Sequence, residues 1–289
     1  MQINLNLLAS IALCFLPLVL AVMIVLRKQE RRHAIGRAPF NELLRRPAGE
    51  TLRIKIEDLD DKISDQIAAM VLLPTIMAAG LFTIHPIGFV VSVLFFGISA
   101  CWVGVWGTKC FQTLRKRANY KLGFDGERYV AEELSRLIAL GFEIYHDVPF
   151  DNFNIDHVLV GPPGVFVVET KTRRKPVDES GKKEYHVLFD GKFLQWPWGA
   201  DSRGIEQAAN NARTLAKWLS GAVGETVGAT AILTLPGWMV DRKAPYDGVS
   251  ILNPKEIHRV CSGPEQKLTT QLIGRICHQL DQKCRLAVK

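Results

Sequence analysis

Two long apolar stretches dominate the first part of the chain, and the second is long enough for two helices. Residues 7–26 carry no charged side chain and are long enough to cross a bilayer as a helix. A second uncharged apolar stretch covers residues 67–107, and Thr83-Ile84-His85-Pro86 interrupts it near its middle. This pattern predicts three transmembrane helices, at about 7–26, 67–84 and 87–107, with two alternatives open. Residues 7–26 resemble a signal peptide in hydrophobicity but lack its basic start, and residues 67–107 are also compatible with a re-entrant hairpin.

Basic residues flank these apolar runs unevenly. The segment 27–66 is rich in arginine and lysine, and Lys109, Arg115, Lys116 and Arg117 follow the last run, whereas the N-terminus and the turn at His85 have no basic residue. Because basic loops stay on the cytoplasmic side, this asymmetry predicts a multi-pass protein of the cell (inner) membrane with its N-terminus outside. The lipid bilayer is therefore an expected partner, and the cytoplasm is the expected site of residues 27–66 and 119–289.

From about residue 119 the pattern changes to that of a soluble domain. Alternating and four-residue periodicities predict helices at 125–140, 203–219 and 265–283, strands at 143–149, 154–160, 164–171, 228–235 and 248–252, and a polar hairpin at 184–195. Strands mixed with helices indicate an α/β fold with a mixed sheet flanked by helices. The predicted organisation is a membrane region at 1–118 and a cytoplasmic domain at 119–289.

The strongest candidate chemistry lies in the hairpin around Gly161-Pro162-Pro163-Gly164. If Val160 pairs with Val165, Asp156 falls opposite Glu169, and alternation places Lys171 on the same face. Two facing carboxylates repel each other unless a divalent cation binds both. An Asp, a Glu and a Lys on one face are typical of a metal-dependent phosphodiesterase. The alternatives are a hydrogen-bonded Asp156 and a surface ion pair of Glu169 with Lys171, and His157 faces the other side with a structural role.

Glu127 lies in line with the apolar stripe of the predicted helix 125–140, for which Asp125 is a plausible N-cap. An acid in the first turn of a helix interacts favourably with the helix dipole, which is the alternative to a functional role. On the inward face, however, Glu127 also points toward the sheet that carries Asp156.

The bulk composition agrees with both a membrane segment and an anionic partner. Hydrophobic residues make up 48% of the 289 positions, and the formal net charge is +7. The positive balance suits nucleic acid or lipid headgroups. The six cysteines form no CxxC pair and no zinc-like spacing with histidine, as expected of buried thiols in a reducing compartment.

Four motifs together resemble a known family. They are Gly126-Glu127-Arg128-Tyr129-Val130-Ala131, Asn154 to Gly161, Gly164 to Lys171, and Gln207-Ala208-Ala209-Asn210-Asn211-Ala212. Their order and spacing resemble the nuclease-related (NERD) domain, which is similar to the PD-(D/E)xK restriction-endonuclease-like superfamily. The resemblance covers roughly residues 119–235 and excludes the apolar runs. It implies a restriction-endonuclease-like mixed sheet and hydrolysis of nucleic acid, with DNA as the expected form.

The resemblance also implies residue roles. Asp156 and Glu169 would ligate Mg²⁺ or Mn²⁺, with the Thr170 carbonyl as a third ligand, and Glu127 would bind a second ion or its waters. Lys171 would activate the attacking water, and Gln207 would orient Lys171 or contact a phosphate; a merely solvated polar stripe is the alternative for Gln207.

Basic residues cluster just beyond the predicted site, and Trp196 and Trp198 follow them. The cluster consists of Arg173, Arg174, Lys175, Lys182 and Lys183. Cations interleaved with aromatic rings suit nucleic acid, whereas a charged loop with structural tryptophans is the alternative. Two other functions stay open: a non-catalytic, membrane-tethered binding or scaffolding module, and a membrane sensor or small channel. The channel is disfavoured because the apolar runs contain no charged residue.

Overall fold

The computed structural model describes residues 44–83, 89–176, 185–243, 248–261 and 267–286, together with Met23. The chain divides into two compact units, one of Met1–Asn41 with Lys55–Asn119 and one of Glu42–Ile54 with Tyr120–Lys289. The predicted boundary after residue 118 lies beside this division. The division additionally assigns Glu42–Ile54 to the second unit.

Helices and strands alternate through the described ranges. The α-helices are α1 Glu50–Thr83, α2 Phe89–Ser135, α3 Arg203–Val223, α4 Ile257–Cys261 and α5 Thr270–Cys284. The strands are β1 Leu44–Arg45, β2 Glu143–Pro149, β3 Asn154–Gly161, β4 Gly164–Thr170, β5 His186–Phe189, β6 Leu194–Trp196, β7 Gly199–Asp201, β8 Ala229–Thr234, β9 Met239–Arg242, β10 Val249–Leu252 and β11 Arg285–Leu286. Short 3₁₀ helices cover Arg136–Leu140 and Pro254–Glu256. The fold class is therefore mixed α/β, as predicted.

The prediction of three membrane helices is not supported. Within the described residues, one helical segment, Phe89–Leu140, is long and apolar enough to cross a membrane, with a mean hydropathy of 2.1 in its most apolar window. A single such helix is weak evidence for membrane association. Residues 67–83 are helical, as the end of α1, but do not add a second candidate. The predicted span 7–26 and the turn at His85 lie outside the described residues, apart from Met23.

The predicted helix 125–140 begins much earlier than expected. It is the final part of α2, which runs without a break from Phe89, and Asp125 is therefore not an N-cap. Asp125 instead pairs with Lys121, whose Nζ donates to Asp125 Oδ1 at 2.6 Å. A 3₁₀ turn follows Ser135, and Gly141, with φ of 83°, closes it because glycine accepts left-handed backbone without a steric cost.

A five-stranded mixed sheet forms the centre of the second unit, with strand order β10-β8-β4-β3-β2. β10, β8 and β4 run parallel, and β3 and β2 continue the sheet antiparallel. Parallel β4 and β8 require a crossover, and α3 lies in it. The antiparallel hairpin β3–β4 was predicted from its turn residues.

Each face of this sheet carries its own apolar core. α3 and α5 cover one face. The predicted stripe is buried there, at Leu268 just before α5 and at Leu272, Ile276 and Leu280 within it. Val130 and Leu134 of α2 pack on the other face with Phe166 and Ile257. Burial on both faces explains why β3 and β4 are nearly continuous apolar runs, and it makes any carboxylate within them unusual.

A second, four-stranded sheet has the order β7-β6-β5-β9. The predicted polar hairpin at 184–195 corresponds to β5 and β6, which pair antiparallel, and β9 joins β5 in parallel. Phe189 and Trp196 are buried in the same core as α3. The pairing of β5 with β9, in which His186 lies opposite Met239, was not predicted from local pattern.

Candidate active site

Asp156 and Glu169 lie on neighbouring strands at the same end of the central sheet. The predicted pairing of Val160 with Val165 is confirmed, and the ladder continues to His157 opposite Val168. One residue further along the same register, Asp156 Oδ2 accepts a 2.7 Å hydrogen bond from the Thr170 amide. The alternation of β3 and β4 therefore places both carboxylates on one face.

Lys171 connects this strand end to helix α3. Its Nζ donates to Glu169 Oε1 and to Gln207 Oε1, both at 2.8 Å. The Lys171 amide donates to Thr234 O at 3.0 Å, which holds the backbone in line with β8 beyond the end of β4. Gly204 keeps the start of α3 close, since a Cβ there would meet Lys171 Cγ at 3.2 Å. The family resemblance implied that Gln207 orients Lys171 or contacts a phosphate, and the structure joins Gln207 to Lys171 by this hydrogen bond.

Asn211 completes the contacts of Glu169 and was not predicted. Its Nδ2 donates to Glu169 Oε2 at 2.9 Å, and its side chain is buried. Asn211 lies one helical turn after Gln207, among the apolar positions of α3, whereas Asn210 on the predicted polar stripe is exposed. The available signal was an amide inside an apolar stripe, because a buried amide needs a polar partner.

Glu127 approaches the same strand end from α2. It is buried, and its charge acts on Asp156. The approach depends on Gly126: a Cβ at this position would lie 1.7 Å from Thr172 Oγ1, so only glycine allows the helix to pack against the segment after Lys171. The structure thus brings Glu127 to the electrostatic neighbourhood of Asp156, as predicted.

Burial and like charge control the protonation of the carboxyl pair. Burial raises the pKa of Asp156 well above its usual range, and the charges of Glu169 and Glu127 raise it further. Burial also raises the pKa of Glu169, against the charge of Lys171 and the hydrogen bonds from Lys171 and Asn211. Carboxyls whose pKa values rise through burial and mutual repulsion are typical of sites that gain a cation.

The ligand atoms available at this site are carboxylate oxygens, which are the type that Mg²⁺ prefers. Among the residues that the structure describes, no group of three or more His, Cys, Asp or Glu side chains is arranged to hold a metal. Mg²⁺, however, commonly binds one or two carboxylates and completes its shell with water and phosphate. Each oxygen of Glu169 accepts one hydrogen bond and keeps a second lone pair. Asp156 and Glu169 therefore offer carboxylate ligands of the type that Mg²⁺ binds, but they do not form a complete ligand set by themselves.

The predicted basic cluster begins directly after Lys171. Arg173 and Arg174 are exposed, and Lys175 is half-buried with its Nζ 5.8 Å from the ring centre of Tyr185. Arg173 Nη2 donates to Asp201 Oδ2 at 3.2 Å. Lys182 and Lys183 lie outside the described residues.

His157 lies on the opposite face from Asp156, as predicted. Its Nδ1 is 2.9 Å from Nδ1 of His146 on β2, and burial lowers the pKa of both rings, to about 4 for His146. Two neutral imidazoles that share a hydrogen bond are consistent with the predicted structural role.

Part of the chain matches a known protein family. Residues 122–235 match the family model NERD, described as Nuclease-related domain. This range includes Glu127, Asp156, Glu169, Lys171 and Gln207, and it supports a nuclease-like function for this part of the chain. No curated protein matches the chain.

A solved structure, that of SfsA from Pyrococcus furiosus in complex with Ca²⁺, matches with 17% sequence identity and a TM-score of 0.21. The match covers 43% of this chain and 52% of that chain, so this protein spans about half the length of its match. A superposition this weak does not indicate a shared fold.

Proposed function

We propose that the protein is a metal-dependent nuclease that hydrolyses phosphodiester bonds of nucleic acid, with DNA as the expected substrate. One observation carries the proposal: Glu169 on β4, Lys171 and Gln207 form a continuous hydrogen-bond network beside Asp156. This network lies within the residues that match the nuclease-related domain.

In this proposal, Asp156 and Glu169 hold Mg²⁺ or Mn²⁺, with the Thr170 carbonyl as a third ligand. Glu127 binds a second ion or positions water around the first. When bound, the metal supplies Lewis-acid stabilisation of the phosphate and a readily deprotonated water. Arg173, Arg174, Lys175, Lys182 and Lys183 contact the nucleic-acid backbone, which carries one negative charge per nucleotide.

Lys171 acts on the reacting phosphate and the attacking water. Its ammonium group is held between two acceptors, so its position is fixed before substrate binds. A preorganised cation stabilises the charge that develops in the transition state more strongly than a mobile one. Gln207 positions Lys171, and Asn211 fixes the rotamer of Glu169 through its bond to Oε2.

The cleavage assay uses full-length protein in detergent, with labelled DNA and RNA in Mg²⁺, Mn²⁺ or EDTA. We expect cleavage only with metal, and we expect Lys171→Met to reduce the rate about a hundredfold or more. Lys217→Met is the matched control, because Lys217 is an exposed lysine of α3 outside the network, and it should keep the native rate. Cleavage in EDTA, or native rates in both Lys171→Met and Asp156→Asn, would contradict the mechanism.

The contacts of Glu169 favour a second candidate, a membrane-tethered module that binds nucleic acid or serves as a scaffold without cleaving. Both carboxylate oxygens already have partners in Lys171 and Asn211. This candidate predicts nucleic-acid binding that is unaffected by EDTA. Calorimetry that detects Mg²⁺ binding in the native protein, and none in Glu169→Gln, would count against it.

We further propose that the end of α1 and the apolar start of α2 enter a membrane as a pair, so that residues 42–54 and 120–289 of the second unit both lie in the cytoplasm. Phe89 and Phe96 are 82% and 69% exposed, which suits lipid better than water. Lys109, Arg115, Lys116 and Arg117 follow this segment, as expected for a cytoplasmic end. Chemical labelling of cysteines from one side of the membrane tests this placement.

A further inference from the structure

Three tryptophans form a compact cluster in the second unit. The ring of Trp198 stacks on Trp196 with centroids 5.3 Å apart and an angle of 11° between the planes. Trp238 meets both rings edge-on, at 4.9 Å and 5.6 Å. Trp196 and Trp238 are buried, whereas Trp198 is 53% exposed. Trp198 thus presents a large aromatic surface on a base of two buried rings.

The cluster is tied to the strand that carries the candidate active site. Trp238 Nε1 donates to the backbone oxygen of Arg173 at 3.3 Å, and Arg173 follows Lys171 by two residues. The Lys171 amide in turn bonds to Thr234, the last residue of the strand that leads to Trp238. The tryptophan cluster and Lys171 are therefore connected through hydrogen bonds to the same stretch of backbone.

Two arginines lie next to these residues. Arg173 and Arg203 both pair with Asp201, each at 3.2 Å, so two guanidinium groups face one carboxylate. The Arg203 side chain is 84% exposed, and it lies one helical turn before Gln207. An excess of cations beside a ring suits a ligand that combines phosphate with a flat, stackable group.

We propose that Trp198 is a stacking platform for an unpaired nucleobase adjacent to the phosphate held at Lys171. This inference rests on the proposed function and specifies its substrate class as single-stranded or locally unpaired nucleic acid. A base in an intact duplex already stacks on its neighbours, so its face is not available to an indole. An unpaired base offers that face, and every base has one, so the platform selects strandedness rather than sequence.

The test measures binding separately from cleavage. Full-length protein in detergent and EDTA is titrated into fluorescent 12-nucleotide single strands of DNA and of RNA and into a blunt duplex, with anisotropy as the readout. We expect Trp198→Ala to weaken single-strand binding about tenfold or more, since the variant loses the stacking of a base on the indole ring. Trp198→Phe, which keeps a ring, should retain most of the affinity, and duplex binding should change little.

Phe193→Ala is the matched control, because Phe193 is a half-buried aromatic residue in the turn between β5 and β6 and takes no part in the tryptophan cluster. It should bind single strands as the native protein does. The DNA and RNA arms show which backbone the protein prefers.

Equal single-strand binding by Trp198→Ala and native protein would overturn the inference, as would equal losses for single strand and duplex, or no single-strand binding at all. A protein that binds single strands through Trp198 but does not cleave them would refute hydrolysis and leave the platform intact.

Discussion

At the scale of single residues, Asp156 stands out because its charge is unfavourable without a partner cation. It is a carboxyl group among apolar strands, and Glu169 and Glu127 add to the cost of ionising it. Since its pKa is raised in the folded protein, the folded state holds the proton more tightly than the unfolded state does. Ionisation of Asp156 therefore lowers stability as pH rises above the usual range of an aspartate.

Asp156→Asn should stabilise the metal-free protein near pH 7, because the amide removes this ionisation and its oxygen still accepts the Thr170 amide bond. A gain of about 1 kcal/mol corresponds to roughly 2–4 °C in Tm. The gain should shrink toward pH 3, where the native carboxyl is protonated in both states. Mg²⁺ should raise the Tm of the native protein and not that of the variant, because metal ligands must be deprotonated.

Asp241→Asn provides the comparison, because Asp241 is an exposed carboxylate on β9. Its Tm should change little, because an ordinary surface substitution alters the free energy of unfolding by no more than about 0.5 kcal/mol. Thermal melting across pH in EDTA and in Mg²⁺ gives both results. A lower Tm for Asp156→Asn in EDTA at pH 7 would show that the carboxylate is not destabilising.

The sequence predicted the positions of residues that strand register determines. It did not predict positions that depend on how helices pack against the sheet. Counting across the turn placed Asp156 and Glu169 on one face, because side chains alternate along a regular antiparallel ladder such as β3–β4. Asn211 was missed because its role depends on which face of α3 meets the sheet. An amide within the apolar stripe of α3 was the available signal, but its partner, Glu169, lies 42 residues earlier in the chain.

At the scale of elements, short-range periodicity predicted the main strands and helices of the second unit, and long-range pairing escaped it. β1 and β11 are two-residue strands that pair across almost the whole described chain, Leu44 with Leu286. Strands this short have no periodic pattern to detect. The continuity of α2 was also missed: the predicted helices 87–107 and 125–140 are parts of this one helix, because apolar and amphipathic stretches follow each other without a cap.

The segment before α1 is attached to the central sheet through Asp147. This carboxylate is buried and accepts hydrogen bonds from Arg46, from Asn154 and from the amide and hydroxyl of Thr51. Arg46 Nη2 lies 2.5 Å from Asp147 Oδ2. A buried carboxylate that loses its cation strongly destabilises a fold. The segment that carries Arg46 therefore contributes to the stability of the central sheet.

Arg46→Ala should lower stability by about 3–5 kcal/mol, since it leaves Asp147 buried without its counter-charge. Thermal melting followed by tryptophan fluorescence should show a fall in Tm of roughly 6 °C or more. Adding Asp147→Asn should restore part of the loss, because the uncompensated charge is then gone. Arg259→Ala is the control: its ion pair with Glu256 lies at the surface and contributes at most about 1 kcal/mol. Equal losses for the two arginine variants would show that burial of Asp147 is not decisive.

At the scale of the whole molecule, the second unit is discontinuous in sequence. Residues 42–54 belong to it, and residues 55–119 separate them from its remainder. Composition alone suggests a single boundary where the apolar runs end. A fragment that starts at residue 120 would lack Arg46 and Thr51, so the candidate nuclease unit is best studied in the full chain.

Membrane placement is the remaining property of the whole molecule that the sequence predicts. In a cysteine-free background, Lys192→Cys puts a thiol at an exposed turn of the second unit, and His85→Cys puts one in the predicted external turn.

With a membrane-impermeant maleimide on intact cells, we expect labelling of His85→Cys only, because basic residues after the apolar run keep the second unit inside. Permeabilised cells should label both variants, which controls for thiol reactivity. Labelling of Lys192→Cys in intact cells would reverse the orientation, and recovery of the protein in the soluble fraction would remove the membrane from its function.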